Sequence, residues 1–414
     1  MKLSLGAYSA VVSSLYCAGY PYLAWRYREG FAQRRGVYEP SLAESFSGAR
    51  PLWVHAASVG EVQAAFPLVK AMRSTPLGPI ILSTITPTGK AMAQRLCGGM
   101  IDAHIYYPWD VPWIVRRSLG ALRPKAYVAV EAEIWPLFLA GLAERGIPAF
   151  LVNGRFSDRS FEKARKNPAF WLKVLGAFRF LMVRGETDRE RLLALGVDEK
   201  RVIALGDCKI DALVERRKEV DLPSLRQKLF LGPDDLCLVA GSTHEGEEGV
   251  VFKAWDEMRR RFPCRLIVVP RHPERSPKVL KEAGRFGKAL LLTQISPDWD
   301  ILVVDAVGYL FDLYGLSRAA FVGGSLVSKG GQNVLEPACW GIPVFCGPHM
   351  EDFAAPAEEL SRLGALKVVS DERELARGWS DSLAAPDGDL KRSVERYFTP
   401  GAAVRAWEII KSSL

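Results

Sequence analysis

A repeated alternation of short apolar runs with helical patterns is the feature that most restricts the fold of this chain. Helical patterns separate the apolar runs of the first half, as from Val62 to Arg73, from Gly89 to Leu96 and from Trp135 to Arg145. Short apolar strands that alternate with helices predict a parallel β-sheet covered by helices on both faces. The apolar runs of this first series are residues 51–57, 79–85, 101–107, 126–132, 148–154 and 179–185.

A second series of apolar runs begins near residue 236 and predicts a second domain of the same kind. Its members are residues 236–242, 265–271, 289–293, 300–306, 319–325 and 342–348. The stretch 211–232 between the two series is charged and contains Pro223, which is typical of an inter-domain connection. A chain of 414 residues is long enough for two α/β domains with separate cores. Doubly wound sheets bind ligands beyond the carboxyl ends of their strands, so the functional residues are expected there.

The N-terminal segment differs from the rest because no charged residue occurs from Leu3 to Trp25. About 20 apolar residues suffice to span a bilayer. Arg26 and Arg28 follow the segment, which favours a cytoplasmic location for the remaining chain. We therefore predict a membrane-anchor helix over residues 1–25. A helix lying in the membrane surface is the alternative, and a cleaved signal peptide is disfavoured because the basic charge follows the apolar run.

The net charge of +8 and the pI of about 9.1 indicate an acidic partner: nucleic acid, an anionic membrane surface or a phosphorylated substrate. The chain lacks the motifs of nucleic-acid-binding modules, so we expect no nucleic-acid partner. One stretch combines basic and aromatic residues in a pattern that suits anionic lipid, although a solvated helix face has the same pattern. It contains Arg155, Arg159, Lys163, Arg165 and Lys166 together with Phe156, Phe161 and Phe170.

A candidate general base lies at the junction of the first strand and its helix. The residues Ser58-Val59-Gly60-Glu61 fit a capping box, in which the Glu61 carboxylate accepts a hydrogen bond from the backbone of Ser58. A carboxylate in the first turn of a helix is also suited to take a proton from a substrate. From the spacing alone, both the capping role and the catalytic role remain open for Glu61.

Two further stretches of the first half place charged residues after apolar strands. In "AVEAEIWP" (129–136), Glu131 and Glu133 follow a strand, and alternate residues of a strand share a face, so we expect both to point one way. Favourable charge at a helix N-terminus is the alternative for these two acids. Lys209 follows another strand, where a lysine by itself is typical of a solvated surface.

The second half contains a loop whose backbone suits a phosphate. In "VAGSTHEGEE" (239–248), Gly241-Ser242-Thr243 joins a strand to a helix, and backbone N–H groups there can bind an anion. The nearby Glu245, Glu247 and Glu248 would repel that anion unless they point away.

Two other stretches of the second half suit a nucleotide. Arg271 ends a strand and suits a bidentate clamp on phosphate or carboxylate, with a surface turn as the alternative. In the stretch 321–353, Gly330-Gly331 permits close approach of a ligand to the backbone. Asn333 and Glu336 lie at the start of the following helix. There, the Glu336 carboxylate can accept hydrogen bonds from both hydroxyls of a ribose.

The ordered set of these motifs resembles the 3-deoxy-D-manno-octulosonic acid (Kdo) transferase family, glycosyltransferase family 30. The motifs are "WVHAASVGEV", "TPTGKAMA", "EAEIWP", "NGRFSDRS", "GSTHEGEE", "PRHPER" and "GGSLVSKGGQNVLEPA" with the "GPHM" that follows it. The resemblance implies a GT-B glycosyltransferase with two Rossmann-like domains that face each other across a cleft. It implies transfer of Kdo from CMP-Kdo to a lipid A precursor, lipid IVA, at the cytoplasmic face of the Gram-negative inner membrane. We expect neither a metal nor a cofactor.

The resemblance also implies a role for individual residues and domains. The catalytic base falls on Glu61, and the residues that support the transition state fall on Glu131 and Lys209. The resemblance implies an acceptor-binding domain over residues 26–214 and a CMP-Kdo-binding domain over residues 215–398. Residues 399–414 are expected to form a final helix. The contacts to CMP fall on Pro270, Arg271, Gly308, Tyr309, Leu310, Asn333, Val334, Leu335 and Glu336.

The chain departs from the family pattern in three places. Ala132 replaces a usual threonine, Tyr309 replaces a usual glutamate, and "SKGGQNV" replaces the commoner "HGGHNP". The last two departures concern side chains of the CMP site rather than the fold. Two other functions remain open: a GT-B transferase that uses a UDP-sugar for a different surface glycan, and a membrane-anchored nucleotide-binding protein without catalysis.

Overall fold

The structure is a computed structural model that describes residues 4–44, 46, 48–384 and 388–414. Residues 1–3 of the predicted anchor lie outside the described residues. Two compact units form the chain. The first consists of the residues up to Ala212 together with Pro400–Leu414, and the second consists of Leu213–Thr399.

Within the described residues, the first unit contains a parallel seven-stranded sheet. The order of its strands is β3-β2-β1-β4-β5-β6-β7, so the chain reverses direction across the sheet between β1 and β4. The six predicted strands are present, and β7 was not predicted. The strands are β1 (Leu52–His55), β2 (Ile80–Thr84), β3 (Ala103–Tyr106), β4 (Ala126–Val130), β5 (Ala149–Gly154), β6 (Phe178–Val183) and β7 (Val202–Ala204).

Helices connect these strands and cover the sheet. They are α1 (Leu5–Arg26), α2 (Phe31–Arg34), α3 (Pro40–Glu44), α4 (Val59–Ser74), α5 (Pro87–Cys97), α6 (Pro112–Leu122), α7 (Pro136–Glu144), α8 (Asp158–Arg165), α9 (Pro168–Leu175), α10 (Glu186–Ala194) and α11 (Cys208–Glu219). A short 3₁₀ helix, Glu199–Arg201, precedes β7. The boundary between the two units falls within α11.

The second unit repeats this design with another parallel seven-stranded sheet in the part of the chain that is described. Its order is β10-β11-β9-β8-β12-β13-β14, and the chain reverses direction between β8 and β12. The six predicted strands are again present, and β14 was not predicted. The strands are β8 (Cys237–Thr243), β9 (Arg265–Pro270), β10 (Ala289–Leu291), β11 (Ile301–Val303), β12 (Ala319–Val322), β13 (Val344–Cys346) and β14 (Leu366–Val368).

The helices of the second unit begin in the stretch that the sequence predicts as a connection, since 211–232 is largely helical. They are α12 (Leu222–Lys228), α13 (Glu248–Arg259), α14 (Ser276–Ala283), α15 (Leu310–Tyr314), α16 (Leu335–Ala338), α17 (Ala354–Arg362), α18 (Glu372–Ala384) and α19 (Gly388–Tyr397). Three 3₁₀ helices span Pro273–Arg275, Leu292–Gln294 and Glu351–Phe353. The last helix, α20 (Ala402–Ser412), belongs to the first unit.

Neighbouring residues of β1 show how the first sheet is covered on both faces. Trp53 packs edge-on against Phe138 of α7, with 5.1 Å between the ring centroids. Val54 points to the opposite face, into a core that contains Trp407 of α20. These side chains are almost completely buried, and burial of each stabilises the fold by about 1.5–3 kcal/mol. The continuous apolar runs of the strands follow from this burial on both faces.

The C-terminal helix α20 supports the start of α11. The Asp211 carboxylate of α11 accepts hydrogen bonds from the backbone N–H of Gly401 at 2.8 Å and of Ala403 at 2.7 Å. The Trp407 indole N–H donates to Thr75 Oγ1 at 2.7 Å. Helix α20 is thereby capped and held against α4 and α11, the two helices that carry Glu61 and Lys209.

The predicted N-terminal helix exists, but the prediction that it spans a bilayer is wrong. No helix in the described ranges combines the length and apolar character that a bilayer span requires. The reason lies in the composition of α1, where glycine and serine residues and Pro21 dilute the apolar content. Part of α1 instead packs on the first unit, because the Tyr8 hydroxyl donates to Asp110 at 3.1 Å and the Tyr16 ring lies beside Trp109 and Trp113.

Candidate active site

Glu61 lies at the N-terminus of α4, next to the reversal point of the first sheet. Its Oε2 accepts hydrogen bonds from the Ser58 backbone N–H at 2.6 Å and from the Ser58 hydroxyl at 2.7 Å, which completes the predicted capping box. Burial raises the pKa of Glu61 above its ordinary value, and the nearby carboxylates of Glu133 and Glu131 raise it further. A base whose pKa approaches the operating pH is a more effective proton acceptor.

Glu131 forms an ion pair with Lys209 across the same end of the sheet. The strand β4 ends at Val130, and Glu131 takes a left-handed conformation with φ of 62°. Its Oε1 lies 2.5 Å from the Lys209 ammonium group, and the Asn153 side chain donates to the same oxygen at 3.5 Å. Lys209 is therefore not a solvated surface lysine. The ion pair brings two of the predicted site residues into contact, and Glu61 lies beside them.

Asn153 was not predicted, yet it connects β5 to the start of α11. Its φ of 58° is also left-handed, and its Oδ1 accepts a hydrogen bond from the Cys208 backbone N–H at 2.8 Å. Lys209 follows Cys208 directly, so Asn153 places the lysine while its amide group contacts Glu131. A polar residue at the end of an otherwise apolar strand was the available signal in the sequence.

The strand alternation on which the expectation for Glu131 and Glu133 rested does not extend to these two residues. Strand alternation stops at Val130, because the left-handed residue after it turns the backbone. The two carboxylates have different partners. Glu133 Oε2 accepts hydrogen bonds from the Trp135 indole at 2.9 Å and from His55 Nε2 at 3.1 Å. Glu133 and His55 are further members of this polar cluster.

His55 is fully buried at the end of β1. Its ring stacks on Tyr107, with 3.6 Å between the centroids, and its Nδ1 lies 3.0 Å from Ser83 Oγ. His55 belongs to the motif "WVHAASVGEV", but no role was predicted for it. A histidine that ends a buried strand six residues before a candidate base was the signal.

The three glutamates that would repel an anion in the second unit all have partners. Glu247 is fully buried, and its carboxylate accepts hydrogen bonds from four backbone N–H groups, those of His244, Gly324, Ser325 and Leu326, at 2.7–3.0 Å. Glu248 pairs with Arg275 through both oxygens, at 2.7 and 3.2 Å, and Glu245 pairs with Lys278. The Glu247 carboxylate occupies the N–H groups of the loop after β12, so those groups are not free for a ligand.

The glycine pair of the long motif is required by backbone conformation and by space. Gly330 and Gly331 have φ of 78° and 76°, in the left-handed region that favours glycine. A Cβ atom on Gly330 would lie 2.5 Å from the Asp352 carboxylate, and one on Gly331 would overlap Met350. The two glycines therefore let Asp352 and Met350 pack closely against this loop immediately before Asn333.

Asn333 and Glu336 are joined at the start of α16. The Asn333 amide donates to Glu336 Oε1 at 3.3 Å, and its Oδ1 accepts a hydrogen bond from the Leu335 backbone N–H at 3.1 Å. Burial raises the pKa of Glu336, while the nearby Arg216 and Arg271 favour its ionised form. Arg216 was not predicted; its guanidinium lies over the Phe311 ring, 4.2 Å from the centroid.

The remaining residues of the predicted CMP site lie at the ends of strands or the starts of helices in the second unit. Pro270 ends β9, and the Arg271 backbone N–H donates to the Thr243 carbonyl at 2.9 Å. Gly308, with φ of 96°, and the exposed Tyr309 precede α15, which begins at Leu310. Val334 and Leu335 are buried at the start of α16. In the part of the chain that the structure describes, no three His, Cys, Asp or Glu residues are grouped to hold a metal ion.

The basic stretch of the first half has exposed charges but mainly buried aromatic residues. Phe156 and Phe170 belong to the core, with 7% and 5% exposure, and only Phe161 is partly exposed. The prediction of an aromatic-bearing surface is therefore wrong for those two side chains, because both pack in the hydrophobic core of the first unit. The basic residues are all exposed: Arg155, Arg159, Lys163, Arg165 and Lys166.

Solved structures share this fold. UDP-GlcNAc 2-epimerase from Neisseria meningitidis matches 88% of this chain and 99% of its own with a TM-score of 0.60 at 14% identity. A glycosyltransferase from Rickettsia africae matches 88% of this chain and 98% of its own with a TM-score of 0.55 at 11% identity. At these identities, the likeness shows the fold alone.

Related sequences show the family of this chain, which the shared fold does not. A family model described as "3-Deoxy-D-manno-octulosonic-acid transferase (kdotransferase)" matches residues 29–212. The 3-deoxy-D-manno-octulosonic acid transferase of Haemophilus influenzae is 32% identical over 359 residues, which cover 85% of this chain and 83% of that protein. The enzyme of the same name from Aquifex aeolicus is 30% identical over 335 residues, 80% of this chain and 86% of that protein. The protein is thus an enzyme of the glycosyltransferase class. It belongs to the Kdo transferase family.

We expect Glu247→Gln to loosen the loop after β12, because an NH₂ group would then face backbone donors in place of one oxygen. Loss of part of a buried, charged hydrogen-bond network costs about 3 kcal/mol. Hydrogen–deuterium exchange of the Gly324 to Leu326 amides in the full chain measures the effect. Glu245→Gln, at an exposed ion pair, is the matched control. Equal exchange in the two variants would show that Glu247 does not hold this loop.

Proposed function

We propose that this protein is an inverting GT-B glycosyltransferase that moves Kdo from CMP-Kdo to lipid IVA, a lipid A precursor. The observation that carries the proposal is the convergence of Glu61, Glu131 and Lys209 at one end of the first sheet in a member of the Kdo transferase family. These are the residues on which the family's catalytic pattern falls. The first unit supplies the base, and the second unit binds the nucleotide.

The proposed reaction is a direct displacement at the anomeric carbon of Kdo. Glu61 takes the proton of the attacking acceptor hydroxyl, and the hydroxyl oxygen forms the new bond to that carbon. The bond from the carbon to the phosphate oxygen of CMP breaks, and CMP leaves with the electron pair on the opposite side. Arg271 offsets the negative charge of the phosphate and of the Kdo carboxylate, and Lys209, paired with Glu131, supports the transition state, so the scheme uses no metal.

The nucleotide contacts are proposed for the second unit. Glu336 can accept hydrogen bonds from both ribose hydroxyls, and Asn333 orients its carboxylate at 3.3 Å. The pairing of Glu245, Glu247 and Glu248 removes free negative charge from the neighbouring loop, which supports binding of an anionic donor.

The acceptor is proposed to reach the first unit from the cytoplasmic side of the bacterial inner membrane. Helix α1 exposes four large apolar side chains, and Arg26 and Arg28 follow them. Such a helix can lie in the membrane surface, with its basic residues near anionic lipid. The apolar side chains are Val11, Leu15, Tyr22 and Trp25, which are 55–66% exposed.

We expect Glu61→Gln to lower turnover by about 100- to 10,000-fold, because the amide cannot take the proton. The amide oxygen still accepts hydrogen bonds from Ser58, so the fold and CMP affinity are expected to stay near wild type. Incubation with CMP-Kdo, generated in situ, and lipid IVA, followed by mass spectrometry of the lipid, measures turnover.

The exposed Glu144→Gln in α7 is the control for this substitution. Wild-type protein that adds no Kdo to lipid IVA would contradict the proposed reaction. An equal loss of turnover and of CMP affinity in Glu61→Gln would instead assign Glu61 a structural role.

We expect Glu336→Ala to weaken CMP binding by about tenfold or more, because the ribose hydroxyls lose a charged acceptor. Isothermal titration with CMP measures the affinity, and titration with UDP tests the UDP-sugar alternative. Glu358→Ala, at an exposed ion pair of α17, is the control. Unchanged CMP affinity in Glu336→Ala would contradict the nucleotide assignment, and tighter binding of UDP than of CMP would contradict the donor.

We expect the double variant Leu15→Ser, Trp25→Ser to bind anionic vesicles about tenfold less well than wild type, because each side chain loses favourable transfer into the membrane surface. Co-sedimentation with phosphatidylglycerol-containing vesicles measures binding. Val404→Ser, at an exposed apolar residue of α20, is the control. Equal binding by the double variant and wild type would contradict a role for α1.

A further inference from the structure

A buried polar chain lies behind the candidate base. Ser83, His55 and Glu133 follow one another from the end of β2, through the end of β1, to the loop between β4 and α7. Ser83 Oγ lies 3.0 Å from His55 Nδ1, and His55 Nε2 lies 3.1 Å from Glu133 Oε2. The Glu61 side chain is within hydrogen-bonding range of Glu133. The last member of the chain therefore contacts the residue proposed as the base.

Both ring nitrogens of His55 face acceptors. Nε2 faces the Glu133 carboxylate, and Nδ1 lies 3.2 Å from the Ser83 carbonyl oxygen as well as near its hydroxyl. The Ser83 hydroxyl already accepts a hydrogen bond from the Trp53 indole at 2.8 Å and can donate to the Val54 carbonyl at 3.3 Å. A hydrogen on Nε2 is therefore positioned to be donated to the Glu133 carboxylate.

Glu133 is held as an anion in this arrangement. Burial by itself would raise the pKa of Glu133, but the hydrogen bond and charge of His55 and the indole N–H of Trp135 outweigh burial and hold it below its ordinary value. Replacement of a buried ion pair by apolar residues is often neutral or stabilising. Stability alone therefore does not explain why a histidine and a glutamate are paired at this buried position.

Few other charged groups face Glu61. Its own helix start supplies Ser58, and the loop after β4 supplies Glu131 and Glu133. From α11, Lys209 approaches the position of a Cβ atom on Gly60 at 3.9 Å, but it is paired with Glu131. Helix α5 packs against this turn through Gly89, which is uncharged. Glu133 is thus the carboxylate beside Glu61 that Lys209 does not neutralise.

We propose that Glu133, fixed by His55 and Trp135, is a positioning residue that makes Glu61 a stronger base. The proposal rests on the proposed role of Glu61 in proton removal. Two carboxylates side by side disfavour double ionisation, so the fixed negative charge of Glu133 increases the tendency of Glu61 to take a proton. Glu133 does not contact the substrate in this scheme; it acts through Glu61.

The pH dependence of kcat/KM for the acceptor tests the proposal, because its acid limb reports the base of the free enzyme. In Glu133→Gln the negative neighbour is lost, the pKa of Glu61 falls, and Glu61 stays ionised to lower pH. We expect the acid limb to move to lower pH, because the neighbouring negative charge that raises the pKa of Glu61 is gone. The weaker base should lower the plateau about threefold. A purely structural role would lower kcat/KM at every pH without moving the limb.

Two further variants complete the test. Glu133→Asp keeps a carboxylate but withdraws it by one methylene, so its acid limb is expected between those of wild type and Glu133→Gln. Glu144→Gln, in the helix that follows Glu133, is expected to keep the wild-type limb. An acid limb at the wild-type position in Glu133→Gln would overturn the proposal, as would the same result in Glu133→Asp if the glutamine variant does not fold.

The same measurements separate this inference from the proposed function. If Glu61→Gln is inactive while Glu133→Gln keeps the wild-type limb, only the role of Glu133 is wrong. If Glu61→Gln retains its turnover, the base itself is wrong, and the role of Glu133 is overturned with it.

Discussion

The ion pair between Glu131 and Lys209 is the interaction on which the first unit's polar cluster depends. It joins the loop after β4 to the start of α11 at a distance of 2.5 Å. Asn153 contacts Glu131 and also binds the backbone at Cys208, so it positions both ends of the pair. Removal of either charge would leave the other partly buried and unpaired, which is more costly than the pair is stabilising. The left-handed backbone at Glu131 also ends the strand alternation, and Glu133 then forms a hydrogen bond with His55.

The two units treat negative charge in opposite ways. In the second unit, Glu247 is surrounded by backbone N–H groups and Glu248 is paired with Arg275. These two carboxylates therefore stabilise loops, and Arg271 lies near Glu336 at the proposed nucleotide site. In the first unit, Glu61 and Glu133 lie side by side, and burial with mutual repulsion raises the pKa of Glu61. One arrangement suits binding of a phosphate, and the other suits removal of a proton.

Strands were predictable where the side chains on both faces of the strand are apolar and buried. All twelve predicted runs form strands in the structure. The strands β7 and β14 escaped prediction because each has only three residues, and two of the three are not fully buried. The stretch 211–232 was predicted as a connection from its charge, yet it is largely helical. Phe156 and Phe170 were assigned to the surface because the basic residues around them are exposed, whereas tertiary packing buries both rings. Helix α1 was predicted, but no helix among the described residues has the length and apolar content of a bilayer span.

The sequence by itself determined the α/β class, the two series of strands and the family, because apolar periodicity and ordered motifs are local properties of the chain. It also indicated Glu61, Glu131 and Lys209 through their places after strands. Only the tertiary structure decided which of these residues touch: Lys209 pairs with Glu131, and Glu133 turns to His55. The physical reason is that the parallel strand order brings the ends of β1, β2, β4 and β5 to one edge, and a left-handed backbone at Glu131 then selects each partner.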